Sequence, residues 1–293
     1  MPVADANLTG GGGLPRASQA PFPRHGRRIF LADLHLDGTP SPRAKAFYAL
    51  LNRLALEAAH GPTELYLLGD LFEFWAESHR EVPALYEQDL RVLEAAKDAG
   101  VTLTLLSGNR DFAYGRYVER RLGARLLRDG GTVTLSDARK LWIEHGDLLC
   151  LKDRRYLRYR RWVRSWPVRL CFWLLPWFMA RRLIAGVSAK ARVEKSAKDP
   201  AILELSLEAA RDRLERNGCQ VLLCGHTHRP QATDLGAGLR LLVLPAWCEL
   251  PAGYQEHGGA LTPVWFDEAG RDHPASHTGE RLPELPERMR RFF

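Results

Sequence analysis

The sequence predicts an α/β domain, and three observations carry that reading. Beyond Arg28, short apolar runs alternate with segments of helical apolar spacing, the order that gives strands interleaved with helices. An apolar content of 45% and a charged content of 26% are those of an ordinary globular chain, and 293 residues suffice for one large core or two modest ones. Five of the apolar runs break into polar clusters, and in α/β sheets ligands bind just beyond the carboxyl ends of strands.

The elements follow in order. Residues 1–27, rich in Gly, Pro and small side chains, read as a flexible N-terminal tail without the charged-then-apolar order of a secretory signal. "RIFLADLHL" (28–36) reads as a buried strand breaking into a polar loop. "RAKAFYALLNRLALEAA" (43–59) has helical spacing. "ELYLLGD" (64–70) is a strand running into Gly-Asp. "EVPALYEQDLRVLEAAKDAG" (81–100) is a helix closed by glycine. "VTLTLLSGNRD" (101–111) is a third strand, and "TVTLSDARKLWIEHGD" (132–147) a hairpin turning at Ser136-Asp137. "DPAILELSLEAARDRLERNG" (199–218) reads as a helix with Asp199 as N-cap, Pro200 at its first position and Gly218 past its end. "CQVLLCGHTH" (219–228), "LRLLVLPAW" (239–247) and "LTPVWFDEAG" (261–270) read as further strands. The domain plan is a core of residues 28–151 and 198–270, interrupted by an insertion at 152–197 and followed by a Pro-rich tail at 271–293.

Net charge of +7 and a pI near 9.3 favour an anionic partner: nucleic acid, a phosphorylated metabolite or an anionic lipid surface. The five cysteines form no C-x-x-C pair and no even framework, which points to reduced thiols and a cytoplasmic setting.

The five polar clusters are Asp33-Leu34-His35, Gly69-Asp70, Gly108-Asn109-Arg110-Asp111, His145-Gly146-Asp147 and Gly225-His226-Thr227-His228. Taken singly, Asp70 and Asn109 are more often turn residues, and His35 and His145 more often satisfied core histidines. An isolated H-x-H is weak evidence of anything. Seven O and N donors (Asp33, His35, Asp70, Asn109, His145, His226, His228), each beyond the end of a strand, are hard to assign to coincidence together. With no thiolate, they are too many for one tetrahedral zinc, and the mix suits Mn, Fe, Zn or Mg. One bridging carboxylate would give two metals four protein ligands each, the arrangement of a two-metal hydrolytic centre. Two divalent ions against the two aspartates leave the site positive, which suits a phosphate ester or diphosphate. A neutral amide at Asn109 preserves that preference. Arg110 is placed to meet a phosphate oxygen by a charge-assisted bond, and Asp111 to pin its loop.

The blocks "DLH", "GDLFEFW", "GNRD", "HGD" and "GHTH", in this order and spacing, resemble the calcineurin-like metallophosphoesterases over roughly residues 28–250. The resemblance implies a four-layer α/β/β/α sandwich of two packed sheets. It also implies one metal held by Asp33, His35, Asp70 and His228, and another by Asp70, Asn109, His145 and His226, with Asp70 bridging. "GNRDF", "HGDLLCLKD", "HTHRP" and "PAW" narrow the likeness to the UDP-2,3-diacylglucosamine pyrophosphatases of lipid A biosynthesis. That branch implies water attack on the α-phosphorus to give UMP and 2,3-diacylglucosamine 1-phosphate, with Mn2+ as the usual metal and a helical cap that holds acyl chains. It implies substrate contacts at Arg110, Asp153, Ser196 and Lys198, and a catalytic site of Asp70, Asn109, Arg110 and His226. In it Asn109 and His226 face the substrate, and His226 or Arg110 neutralises the transition state. The chain departs from the family after "LFEFW", where it reads "AESHRE" in place of Gly and acidic residues.

The insertion has its own chemistry. From Lys152 to Arg192 it carries twelve Lys/Arg and one acid, Asp153, so much of the positive charge sits there. Tyr156, Leu157, Tyr159, Trp162, Val163 and Trp166 thread it at helical spacing. "LCFWLLPWFMA" (170–180) has eleven residues without a charge, too few for the roughly 20 that span a bilayer. A basic, Trp-rich, apolar helical segment fits peripheral association with the cytoplasmic face of an inner membrane, or a sheath for acyl chains. A helical hairpin with solvated arginines, a nucleic-acid groove and a non-catalytic scaffold are the competing readings. The uncharged run argues against the groove, so no nucleic-acid partner is expected, and the full donor set argues against the scaffold. A related enzyme acting on another nucleotide or lipid phosphodiester is the nearest alternative.

Overall fold

The computed structural model describes residues 22–79, 81–186 and 204–274. Twelve strands form two sheets that pack face to face. The first contains β1 (Arg27–Leu31), β2 (Thr63–Leu67), β3 (Thr102–Leu106), β4 (Arg125–Leu127), β10 (Ala252–His257), β11 (Ala260–Phe266) and β12 (Asp272–Pro274), in the order β12-β11-β10-β1-β2-β3-β4. The second contains β5 (Gly131–Thr134), β6 (Lys140–Ile143), β7 (Val221–Cys224), β8 (Gln231–Gly236) and β9 (Leu239–Val243), in the order β5-β6-β7-β9-β8.

Strand periodicity assigns each apolar residue to a layer. Successive side chains point to opposite faces, and strands buried on both faces are apolar throughout. In β1 and β2, Ile29, Leu31, Leu65 and Leu67 face the outer helices, while Phe30 and Tyr66, with Ala32 and Leu68 just past the strand ends, face the second sheet. In β7 and β9, Leu222, Cys224, Leu241 and Val243 face a third cluster with helix α8 (Leu207–Asn217), and Val221, Leu223 and Leu242 face the inter-sheet core. The α/β/β/α sandwich is therefore borne out.

Helix α1 (Pro42–Ala58) begins where Ser41 accepts a bond from the Ala44 N–H at 3.3 Å, with Pro42 at its first position. The single helix expected over 81–100 is two: α2 (Val82–Leu85) and α3 (Glu87–Asp98). Tyr86 breaks them apart, at φ −112° and ψ 22°. There its hydroxyl accepts from the Phe74 N–H at 3.2 Å and its ring packs 4.6 Å from Phe72. The helix expected from Asp199 begins at Leu207 instead. Ser206 caps it by accepting from the Ala209 N–H at 3.2 Å, and residues 204–206 are not helical. Asp199 and Pro200 lie outside the described residues. Gly218 closes α8 in the left-handed region as expected, at φ 60°.

Strands β4, β8, β10 and β12 and helix α4 (Arg116–Leu122) were not legible. Central β10, "AGYQEH", lacks an apolar pattern because Glu256 points inward. It receives the Arg28 guanidinium at 3.2 Å and the Ser136 N–H at 2.9 Å. A Cβ on Gly253 would lie 2.3 Å from the Phe30 carbonyl oxygen, so only glycine fits where β10 meets β1.

Arg121 holds α4 against α3 through Glu87, at 2.8 and 3.0 Å, and Glu94, at 3.3 Å. Hydrogen bonds from Arg121 and then Arg91 pull the Glu87 carboxyl down to about 2. A depressed folded-state pKa stabilises fully above the unfolded value, and that share is lost as pH falls toward 2. Glu87 is largely exposed, so screening keeps the effect small. Arg121→Gln should lower Tm by roughly 2 °C at neutral pH. Thermal melts from pH 5 to pH 3 should show the difference from wild type narrowing, and a constant difference would count against this ion pair.

Candidate metal centre

Strands β1, β2 and β3 run parallel in one sheet, and β6, β7 and β9 run parallel in the other. Their carboxyl ends therefore meet along one edge of the sandwich. A bridge between Ala32 and Ala246, and a bond from the His226 N–H to Asp33 Oδ2 at 2.8 Å, fasten the two sheets there.

The backbone is strained at this edge. Asp33, His35, Asp70, His226 and His228 all lie at positive φ, between 48° and 72°. Non-glycine residues persist there only where their surroundings force them, and such residues gather at functional sites. Two glycines are dictated by the same crowding. A Cβ on Gly108 would fall 2.1 Å from Asp70 Oδ1, and one on Gly225 would fall 2.5 Å from Asp33 Oδ2.

All seven donors singled out by sequence converge. Asp33, His35, Asp70 and His145 are buried, whereas Asn109, His226 and His228 are partly exposed. His35 Nε2 lies 3.9 Å from Asp33 Oδ1 and 3.8 Å from Asp70 Oδ2. His145 Nε2 lies 3.8 Å from the same Asp70 oxygen, and His228 Nε2 lies 3.4 Å from Asp33 Oδ1. Asn109 Oδ1 sits 3.0 Å from His145 Nε2 and 2.9 Å from His226 Nδ1. Asp70 thus stands between two groups of donors, one with His35 and one with His145.

The imidazoles are aimed from behind. His145 Nδ1 meets the Leu68 carbonyl oxygen at 2.9 Å, which fixes Nδ1 as the protonated nitrogen and leaves the Nε2 lone pair inward. His228 Nδ1 likewise meets Glu249 Oε1 at 2.7 Å, whereas His35 Nδ1 lies 3.3 Å from Glu73 Oε2 without a hydrogen bond. Histidines that ligate metals are held in this way, by an acceptor on the far nitrogen. Asp33 Oδ1 is buried with no hydrogen-bond partner. A buried carboxylate oxygen with no well-formed hydrogen bond, facing imidazole nitrogens at 3.4 and 3.9 Å, is what a cation site requires. The ligand atoms of Asp33, Asp70 and His145 all lie within 4.8 Å of one another, as do those of His35, His228 and Cys248. The residues fit divalent metal ions.

Electrostatics agree. Burial alone would raise the Asp33 carboxyl, but the neighbouring imidazoles, His228 foremost, hold it far below the usual carboxylate range. Burial would lower His145, and Asp70 and Asp33 outweigh it and push it up. Burial and then His145 depress His226 to about 4.

Asp111 braces the site without facing it. It accepts from the Gly108 N–H at 2.8 Å, Asp70 N–H at 3.1 Å, Leu71 N–H at 2.7 Å and Phe72 N–H at 3.3 Å, and from the Tyr114 hydroxyl. Burial, then Asp70, raises its carboxyl to about 6. Asp111→Ala would orphan four backbone donors. It should cost about 3–4 kcal/mol in urea unfolding, and a loss under 1 kcal/mol would show that the loop supports itself.

The insertion supplies residues the motifs did not reveal. Helix α5 (Arg154–Val163) lays Tyr156 6.2 Å from the His226 ring, with its hydroxyl on Asp147. Arg160 binds Asp147 and Asp129, each at 2.7 Å, and Arg164 donates to the Gly108 carbonyl at 3.1 Å. Burial and then Arg160 lower the Arg164 pKa. Asp153 accepts from the Tyr156 N–H at 3.1 Å as the α5 N-cap. The Arg110 guanidinium rests on Glu73 at 3.3 Å, and the Arg110 backbone N–H donates to Asp70 Oδ1 at 2.8 Å. Ser196 and Lys198 lie outside the described residues.

Helix α6 (Trp166–Leu174) and α7 (residues 177–186) follow, broken at Pro176 as the sequence implied. The loop that departs from the family pattern grips their junction. His79 Nε2 lies 3.2 Å from the Leu175 carbonyl oxygen, and its ring sits 5.6 Å from Phe172 and 5.0 Å from Trp177. Nine of the fourteen large exposed hydrophobics in the described residues lie between Tyr159 and Leu183, a concentration of apolar surface of the kind that marks an interaction site. No described helix is long and apolar enough to cross a membrane.

A family model described as calcineurin-like phosphoesterase matches residues 26–230. A protein of Klebsiella pneumoniae named UDP-2,3-diacylglucosamine hydrolase is 34% identical over 233 residues, covering 80% of this chain and 93% of that one. Proteins of the same name from an Enterobacter species and from Haemophilus influenzae are 36% and 33% identical, covering 75% and 74% of this chain and 90% and 89% of theirs.

Proposed function

This chain belongs to the calcineurin-like phosphoesterases, and from that premise we propose that it hydrolyses the diphosphate of UDP-2,3-diacylglucosamine to UMP and 2,3-diacylglucosamine 1-phosphate. It is a hydrolase of lipid A biosynthesis. The observation that carries the reading is a cation-ready donor set lying directly against a basic helix whose continuation is an exposed apolar face. A diphosphate joining a nucleoside to a diacyl sugar needs both. The names of the relatives support the same substrate.

In this reading two Mn2+ ions would be held here, one by Asp33, His35, Asp70 and His228, the other by Asp70, Asn109, His145 and His226. When bound, they polarise the phosphoryl oxygens and lower the pKa of water. The protein's residues do the rest. Asp70 sets the spacing of the two donor groups. Leu68 and Glu249 hold the His145 and His228 imidazoles in line. Arg110, fixed over the site by Glu73, and Arg164 supply charge to the diphosphate oxygens. Asn109 and His226 face the substrate beside Tyr156. Asp153 acts through Tyr156 by capping its helix, and Ser196 and Lys198 complete the substrate contacts at the end of the insertion. Water attacks the α-phosphorus, the bond to the bridging oxygen breaks, and that oxygen leaves with the sugar phosphate. The apolar face of α6 and α7 takes the acyl chains and rests on the cytoplasmic face of the inner membrane.

The test is Mn2+-dependent turnover of UDP-2,3-diacylglucosamine in 18O-labelled water, with products resolved by mass. UMP carrying the label and unlabelled diacylglucosamine 1-phosphate are expected. Cleavage of simple phosphodiesters with no turnover of this lipid would leave the centre and remove the substrate.

A further inference from the structure

One donor near the centre is absent from the seven that the motifs single out. Cys248 follows β9 on a turn, so it stands at a sixth strand end on the same edge. Its N–H donates to the Asp33 carbonyl oxygen at 3.1 Å, and the preceding Trp247 N–H donates to the Ala32 carbonyl at 3.1 Å. These two bonds fasten the turn to the loop that carries Asp33 and His35. The residue after it, Glu249, holds His228 Nδ1. Cys248 Sγ then lies within 4.8 Å of ligand nitrogens of both His35 and His228. A single ion with a metal–sulfur bond of about 2.3 Å and metal–nitrogen bonds of about 2.0–2.1 Å would draw such donors to roughly 3.6 Å of one another, inside this limit. The unpartnered Asp33 Oδ1, 3.4 Å from His228 Nε2, is aimed into the same space.

The other cysteines differ. Cys150, Cys219 and Cys224 are buried in the apolar cluster under α8, and Cys171 is exposed on α6.

We propose that Cys248 is an additional, thiolate ligand at the metal position of His35 and His228, raising that position's affinity for thiophilic divalent ions. The inference rests on the metal-centre reading and adds to it. The thiol proton passes to solvent as the sulfur–metal bond forms. Sulfur favours Zn2+, Cd2+ and Co2+ over Mn2+, whose preference is for oxygen. The His35 position therefore binds these ions more tightly than an all-N/O site would.

The experiment uses the full chain in a phosphine reductant, titrated with Co2+ and read by absorption. Wild type should show visible d–d bands together with a near-ultraviolet thiolate-to-cobalt band. Cys248→Ser should keep the d–d bands and lose the sulfur band, and Cys171→Ser should keep both. In competition titrations Cys248→Ser should weaken Cd2+ by at least about tenfold and Mn2+ by less than about twofold. Cobalt bound by wild type without a sulfur band, or a variant that weakens Cd2+ and Mn2+ alike, would overturn the thiolate while leaving the centre intact. Wild type that binds no cobalt would overturn both.

Discussion

Asp70→Asn is expected to leave a folded protein that turns over its substrate at least about a thousandfold more slowly, with the loss in kcat. The carboxylate lies between the two donor groups, 3.8 Å from the Nε2 atoms of both His35 and His145. Its other oxygen accepts the Arg110 N–H at 2.8 Å. An asparagine can keep that bond only by turning its amide NH2 toward the two imidazoles. The bridging charge is then lost and a donor faces the space meant for cations. Shape and volume hardly change, so the urea midpoint should move little. Metal analysis beside the kinetics makes the result decisive. About two ions per wild-type chain and one or fewer in the variant are expected. Near-normal turnover with both ions retained would rule out Asp70 as the bridge.

Much of this edge was legible because its donors sit where strands end. Each of the seven follows an apolar run, and parallel strands within each sheet deliver their carboxyl ends to the same side. The sequence therefore placed Asp33, Asp70 and Asn109 together, and His145 with His226, without long-range information. The residues that aim and extend the centre gave no such signal. Glu249 and Cys248 lie past β9, on a turn whose polar residues look like any other. Glu73 is the exception that local spacing could have found, three residues after Asp70 inside "GDLFEFW". Tyr156, Arg160 and Arg164 reach the core from an insertion whose arginines read as a basic face for anionic lipid, yet Asp147, Asp129 and the Gly108 carbonyl draw two of them inward. Strand β10 was hidden for a related reason: buried Glu256 is satisfied by Arg28 and by the turn of the opposite sheet. A pairing formed between layers leaves no periodicity to read.

The apolar face of the insertion carries the second large effect, and it separates a lipid enzyme from a phosphodiesterase of the same fold. Leu174 and Phe178 are 64% and 61% exposed and flank the break at Pro176. Neither is needed to attach the helices. Phe172 against Phe74, His79 against Leu175, and buried Ala180 do that. Leu174→Asp combined with Phe178→Asp should therefore leave the helices docked and the donor set unchanged. Covering two such side chains with an acyl chain is worth about 2–3 kcal/mol in total at their present exposure. The double variant should accordingly raise KM for the diacyl substrate roughly 30- to 100-fold. Hydrolysis of a small chromogenic phosphodiester, which has no acyl chain to lose, should stay within about twofold. Equal losses on both substrates would mean that the helices had shifted and disturbed Arg164 or Tyr156. Unchanged kinetics on both would mean that the face meets neither substrate nor membrane. The competing view of the insertion as a solvated hairpin expects that last outcome, so one pair of assays chooses between them.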